Sequence, residues 1–152
     1  MSTLVDTNIL TRYAQPTHSM YQLAKDAVNL LLQQGDELCL VPQNFYEFWV
    51  VATRPVAVNG LGLTMAEAQA ELVGLRQIFT VLDETPAILA RWEQLVIQYQ
   101  VMGKNAHDAR LVAAMLVHGV GRLLTFNARD FQRYQGITVV SPQDVLSAPE
   151  TS

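Results

Sequence analysis

Short apolar segments alternate along this chain with longer stretches of helical periodicity. The apolar segments predict buried strands at residues 3–5, 38–41, 79–82, 122–125 and 137–140. Between the first two, Leu23, Ala24, Ala27, Val28 and Leu31 would share one helix face. Parallel strands need crossover connections long enough to hold a helix. We therefore expect an α/β fold in which a parallel sheet is covered by helices on both faces.

The length and composition suit one domain. The chain has 152 residues, and 50% of them are hydrophobic, so it can bury a core without disulfides or a structural metal. We find no internal repeat and no linker. We therefore predict a single domain over residues 1–142, followed by a polar C-terminal tail over residues 143–152.

Several features predict a cytoplasmic protein that does not associate with membranes. The one cysteine, Cys39, lies in an apolar segment and has no second cysteine to pair with. The first residues carry no basic region of the kind that opens a signal peptide. No apolar run approaches the ~20 residues that span a bilayer.

Four carboxylates occupy positions where chemistry is expected in such a fold. Asp6 directly follows the first predicted strand, and Asp130 lies just beyond the fourth. Asp108 opens an apolar helix, and Glu47 lies in an otherwise apolar segment. Ligands of open α/β sheets bind beyond the carboxyl ends of the strands. Taken singly, Asp6 and Asp108 could be helix caps, and Glu47 and Asp130 could be surface acids.

Taken together, the four acids indicate a divalent cation. Several carboxylates at one sheet edge repel one another and raise each other's pKa. A hard cation relieves that repulsion, and Mg²⁺ prefers oxygen ligands. Such an ion suits phosphodiester hydrolysis, because it polarises the phosphoryl oxygen and activates water. The chain lacks the glycine-rich phosphate loop of nucleotide triphosphatases and the serine elbow of hydrolases.

The segments that contain the acids resemble the four motifs of PIN-domain nucleases, in the family's order and spacing. They are 5–10 (VDTNIL), 44–48 (NFYEF), 107–114 (HDARLVAA) and 124–131 (LTFNARDF). Each motif alone is weak, but the ordered set is fairly specific and spans most of the chain. The resemblance implies a PIN-like α/β/α sandwich and an endoribonuclease that depends on Mg²⁺ or Mn²⁺.

The resemblance also implies roles for individual residues. Asp6, Glu47 and Asp108 correspond to the family's core acids, whereas Asp130 corresponds to a fourth position that varies and often acts through water. A further set matches polar positions beside the acids and is expected to orient carboxylates and water. This set is Thr7, Asn8, Thr125 and Asn127.

In length, the chain is similar to the VapC-type toxins of bacterial toxin–antitoxin pairs. Membership of that group implies an RNA substrate and a homodimer. It also implies a small antitoxin that lays a peptide into the groove near the acids. The sequence itself shows neither protein partner.

The net charge of −4 at first argues against a nucleic-acid partner. The basic residues are nevertheless concentrated near the acids in sequence and could form a rim around an acidic centre. The candidates for contact with RNA are Arg12, Arg54, Lys104, Arg110 and Arg129, and Arg133 lies in the same region. The alternative is that these are ordinary solvated charges.

Two other functions compete with a nuclease. One is a PIN-like domain without catalysis that only binds RNA or a protein, although all four acids are present. The other is a receiver-type or phosphatase-like α/β domain with an acidic Mg²⁺ pocket. A receiver would need paired acids at the first strand and a late lysine, whereas here Asp6 stands alone and Lys104 precedes the third acid.

Overall fold

The computed structural model describes residues 1–148, which form an α/β fold with five strands and seven α-helices. The strands are β1 (Ser2–Val5), β2 (Glu37–Leu40), β3 (Thr80–Val81), β4 (Arg122–Leu124) and β5 (Thr138–Val140). All five lie within or beside the predicted apolar segments. The sheet has the order β3-β2-β1-β4-β5, and every neighbouring pair is parallel.

The helices fill the connections between the strands and follow the last one. They are α1 (Thr7–Tyr13), α2 (Tyr21–Gln33), α3 (Pro42–Thr53), α4 (Met65–Ile78), α5 (Pro86–Gln98), α6 (Asn105–His118) and α7 (Pro142–Ser147). Two 3₁₀ turns, Val56–Val58 and Ala128–Phe131, complete the described elements. None of the helices within residues 1–148 is both long and apolar enough to cross a membrane.

Successive side chains of the central strand enter two separate cores, one on each face of the sheet. Leu4 packs with residues of α5 and α6, whereas Val5 packs with residues of α1, α2 and α3. On β4, Leu123 and Leu124 divide between the same two cores. This division follows from the two-residue repeat of a strand. It confirms the predicted parallel sheet with helices on both faces.

The strand order places a crevice at the carboxyl ends of β1 and β4. The chain moves from β1 outward to β2 and β3, and then returns to the other side of β1 to form β4. Ligands of open α/β sheets bind where the strand order reverses in this way. Leu4 is in register with Leu123, so the residues after these two strands emerge side by side.

Helix α7 occupies a segment that the sequence analysis assigned to a polar tail. Ser141 and Asp144 bind each other's backbone N–H groups, and Pro142 opens the first turn, so the helix has a strong start signal. It packs against α2, and Val145 joins the core there. Residues 143–147 of the predicted tail therefore belong to a packed helix, whose capping box the sequence analysis overlooked. Residues 149–152 lie outside the described residues, and the domain boundary at 142 stays a prediction.

Shortening Val145 should destabilise the protein if α7 is part of the domain. Val145 is 8% exposed, and the next residue, Leu146, is 39% exposed. Val145→Ala should lower the free energy of unfolding by roughly 1 to 2 kcal/mol, because it removes buried methyl groups. Leu146→Ala is the matched control and should change it by less than about 0.5 kcal/mol. Denaturant unfolding of both variants checks this, and equal stabilities would contradict the packing of α7.

Candidate metal centre

Four elements bring the four carboxylates to the crevice at the carboxyl edge of the sheet. Asp6 follows β1 and caps α1, while Glu47 lies on α3. Asp108 lies in the first turn of α6, and Asp130 lies in the 3₁₀ turn after β4. Electrostatic repulsion acts between them. The charges of Asp108 and Glu47 raise the pKa of Asp6, and the charges of Asp130 and Glu47 raise the pKa of Asp108. The fold thus gathers acids that are far apart in the sequence.

Asp6 is the most buried of the four acids, with 8% of its surface exposed. One carboxylate oxygen accepts the Thr7 backbone N–H at 2.7 Å, and the other accepts the Thr125 hydroxyl at 2.8 Å. Burial raises the pKa of Asp6 to about 6; the two hydrogen bonds lower it, and the charges of Asp108 and Glu47 raise it further. The side chain is therefore both a helix cap, as its sequence position allowed, and a member of the acidic cluster.

Glu47 is half-buried, and neutral donors hold both of its carboxylate oxygens. The Thr7 hydroxyl donates to Oε1 at 2.8 Å. The side-chain amide of Gln43, one turn earlier on α3, donates to Oε2 at 3.2 Å. These bonds fix the orientation of the carboxylate without neutralising its charge. The acid therefore remains available to a cation.

Asp108 lies deeper in α6 than predicted. The helix begins at Asn105, so Asp108 is the fourth helical residue and does not cap the helix. Burial raises the pKa of Asp108 to about 6, and the charges of Asp130 and Glu47 add to this effect, while His107 and Arg133 lower it. Asp130 itself is exposed. The site thus combines buried and solvent-facing carboxylates.

Three of the four polar residues predicted to support the acids contact the site through their side chains. Thr7 and Thr125 donate directly to carboxylates. The side-chain amide of Asn8 donates to the Thr125 hydroxyl at 3.2 Å and accepts the backbone N–H of Phe126. Asn127 differs, because its backbone N–H binds Thr125 while its side chain is exposed. Together these bonds tie the first turn of α1 to the end of β4.

Asn44 is a structural residue of the site that the sequence analysis missed. It is fully buried, and its amide donates to the Val5 carbonyl and to the Thr7 hydroxyl, while its oxygen accepts the Val41 N–H at 2.9 Å. It therefore links the ends of β1 and β2 to the residue that holds Glu47. The available signal was a pair of polar residues, Gln43 and Asn44, between Pro42 and an apolar segment.

The predicted basic rim is only partly available to a ligand. Arg110 forms a salt bridge with Glu84 at 2.9 Å. The guanidinium of Arg54 donates to the Asn59 carbonyl, and that of Arg12 donates to the Gln15 side chain. A second group stays exposed at the ends of α6 and β4. This group is Lys104, Arg129 and Arg133.

The donor set fits a hard divalent cation in its chemistry. Every candidate ligand is a carboxylate oxygen, and both Asp6 and Asp108 have a pKa that repulsion helps to raise. Within residues 1–148, no three His, Cys, Asp or Glu side chains are close enough to form a direct ligand set. Mg²⁺ keeps several waters and is often held directly by one or two carboxylates. The spread of the acids is therefore compatible with such an ion.

A family model for the PIN domain matches residues 3–137, which is most of the chain. A search of curated proteins finds no match to the sequence. Solved structures give several matches over nearly the whole chain, all at identities that establish the fold alone.

One similar structure is VapBC2 from Rickettsia felis bound to a promoter DNA fragment, with a TM-score of 0.69 and 14% identity over 93% of this chain and 98% of that one. A toxin–antitoxin complex from Klebsiella pneumoniae has a TM-score of 0.65 and 24% identity, and the match covers 92% of this chain and 97% of that one. The Mycobacterium tuberculosis toxin VapC20, described as cleaving the sarcin–ricin loop, has a TM-score of 0.63 and 17% identity over 86% and 93%.

The raised pKa of Asp6 predicts how the stability of the metal-free protein depends on pH. The pKa is about 6 in the fold against 3.8 in the reference state, so the folded protein binds this proton more tightly. Stability should therefore fall as the pH rises from about 4 to about 6, by an amount on the order of 1 to 3 kcal/mol from this group. Asp6→Asn removes the titrating group and should gain stability relative to the wild type over that range. Thermal unfolding in EDTA between pH 4 and 8 measures the difference in stability between Asp6→Asn and the wild type. A difference that does not change with pH would contradict the prediction.

Proposed function

The chain belongs to the PIN-domain family, and we propose that it is a Mg²⁺- or Mn²⁺-dependent endoribonuclease. The observation that carries the proposal is the acidic cluster at the crevice between β1 and β4. There, Asp6 is buried and Asp108 is partly buried near Glu47, and neutral donors orient the carboxylates of Asp6 and Glu47. A site that concentrates like charges, and whose acids form no salt bridge within residues 1–148, is suited to binding a cation from solution.

Asp6, Glu47, Asp108 and Asp130 would hold the ion, some of them through its bound waters, and when bound it polarises a phosphoryl oxygen and lowers the pKa of water. The residues of the chain supply orientation. Thr125 and the Thr7 N–H fix one carboxylate, and the Thr7 hydroxyl fixes another. No side chain is assigned as a covalent nucleophile.

The exposed cations beside the acids support RNA as the substrate. Lys104, Arg129 and Arg133 flank Asp108 and Asp130 and would contact backbone phosphates, which dominate the affinity of proteins for nucleic acids. Arg54 and Arg110 are engaged within the protein and are weaker candidates. Arg12 is bound to Gln15 and would need to exchange that partner.

We place the chain in the cytoplasm as the toxin of a toxin–antitoxin pair and as a homodimer. Similar structures that are toxin–antitoxin complexes support the antitoxin. A cavity of about 390 Å³ between α3 and α4, lined by Phe45, Tyr46, Trp49, Leu72 and Arg76, offers an apolar surface to its peptide. The exposed side chains Leu89 and Ile97, on one face of α5, offer a surface to a second copy.

Neutral substitutions in the cluster should abolish metal-dependent cleavage while the protein stays folded. Asp6→Asn and Asp108→Asn keep the side-chain size but remove the charge that binds the ion. Each should lower cleavage by on the order of 100-fold or more, because even residues that only support metal ligands cost up to that amount. Asp26→Asn, on the exposed face of α2, is the matched control and should cleave at the wild-type rate.

The assay uses total RNA with Mg²⁺, with Mn²⁺ and with EDTA, and circular dichroism establishes that each variant is folded. Cleavage that survives both substitutions or EDTA would contradict the proposal. Metal binding without cleavage of any RNA in the mixture would favour the alternative of a PIN-like domain that only binds RNA or a protein.

A further inference from the structure

Gln43 connects two of the acids through one side chain. It lies on α3 and is 5% exposed. Its amide nitrogen donates to Glu47 Oε2 at 3.2 Å and to the backbone carbonyl of His107 at 2.8 Å. The second bond reaches the first turn of α6, directly before Asp108. Both amide hydrogens are thus used, one on each helix.

The first turn of α6 is also hydrogen-bonded to side chains of two neighbouring helices. Its N-cap residue, Lys104, makes no side-chain cap hydrogen bond. Two side chains from other helices donate to carbonyl groups of this turn. The indole N–H of Trp92 donates to the Ala106 carbonyl at 2.8 Å, and Gln43 donates to the next one. Loss of Gln43 would leave Trp92 as the one described side chain from another helix that binds the turn carrying Asp108.

The amide oxygen of Gln43 is buried and makes no hydrogen bond within the described residues. The amide cannot simply be reversed, because both neighbours of its nitrogen are acceptors. A buried polar atom without a partner opposes folding, so an apolar side chain of the same length would serve packing at least as well. The amide therefore contributes chiefly through its two donors.

We propose that Gln43 is a positioning residue that holds Glu47 and Asp108 at a fixed separation for metal binding. This role rests on the proposed function, since it concerns the same site. Gln43 does not contact substrate and acts through the two acids. Without Gln43, the Glu47 carboxylate keeps only the Thr7 hydrogen bond and can rotate. The first turn of α6, which carries Asp108, can then shift relative to α3.

Gln43→Met tests the proposal, because methionine keeps the length and removes the donors. We expect kcat to fall by roughly 10- to 100-fold and Mn²⁺ affinity to weaken by a similar factor, as for other residues that orient metal ligands. The KM for RNA should stay unchanged, because the side chain is buried. The melting temperature should change little, because removal of the unpartnered oxygen offsets the loss of the two hydrogen bonds. Gln43→Glu should be at least as damaging, because it sets a carboxylate against two acceptors.

The chain offers a matched control in Gln22. On the exposed face of α2 its amide also donates to an acid four residues later, Asp26, at 2.7 Å. Gln22→Met removes the same kind of bond without a bridge to a second helix. It should leave kcat, Mn²⁺ affinity and the melting temperature unchanged.

The outcomes separate this proposal from the proposed function. If the wild type cleaves RNA and Gln43→Met matches it in kcat and in calorimetric Mn²⁺ affinity, the role of Gln43 alone is overturned. A fall in activity that only follows a fall in melting temperature would also overturn it. If the wild type binds Mn²⁺ but cleaves no RNA, the nuclease proposal fails, and the Mn²⁺ affinity of Gln43→Met still decides the role of Gln43. If the wild type neither binds nor cleaves, both are overturned.

Discussion

Burial of like-charged carboxylates at one edge of the sheet is the interaction around which the rest of this structure is arranged. Asp6 is buried and Asp108 is partly buried, close to the charges of Glu47 and Asp130, and burial raises the pKa of both, so their ionisation opposes folding. The two cores on the faces of the sheet must supply the stability that this edge does not. In return, the fold holds a site whose chemistry is complementary to a divalent cation before any ion is bound.

Asp6 and Glu47 are held by uncharged donors, and this arrangement has a consequence for function. Threonine hydroxyls, backbone N–H groups and side-chain amides fix carboxylate orientation without forming ion pairs. An arginine or lysine in the same place would satisfy the acids and compete with a cation. Asn44 and Thr125 also connect the ends of β1, β2 and β4, so the geometry of the site depends on the three central strands of the sheet.

The placement of the acids beyond the strand ends could be predicted because it needs only the chain order. The boundaries around them could not be predicted as well. Helix α6 begins three residues before Asp108, and α7 replaces the start of a predicted tail. The start of α6 has no capping side chain that the sequence could have revealed, whereas the capping box of Ser141 and Asp144 at the start of α7 is present in the sequence and was overlooked. Whether Arg54 and Arg110 are free to contact RNA likewise could not be predicted, because their partners, the Asn59 carbonyl and Glu84, are brought near by the fold.

The sequence by itself determined the parallel α/β class and the order of the apolar segments that form the strands. It also determined the identity of the four acids. All of these are properties of local pattern and motif. The tertiary structure decided which polar groups meet. Asn44 reaches Val5 and Thr7, and Gln43 reaches both Glu47 and His107, across more than thirty intervening residues in three of these four contacts. Contacts between distant segments depend on strand order and helix packing. A side chain's role in the site therefore emerges only when the sheet has brought its partners together.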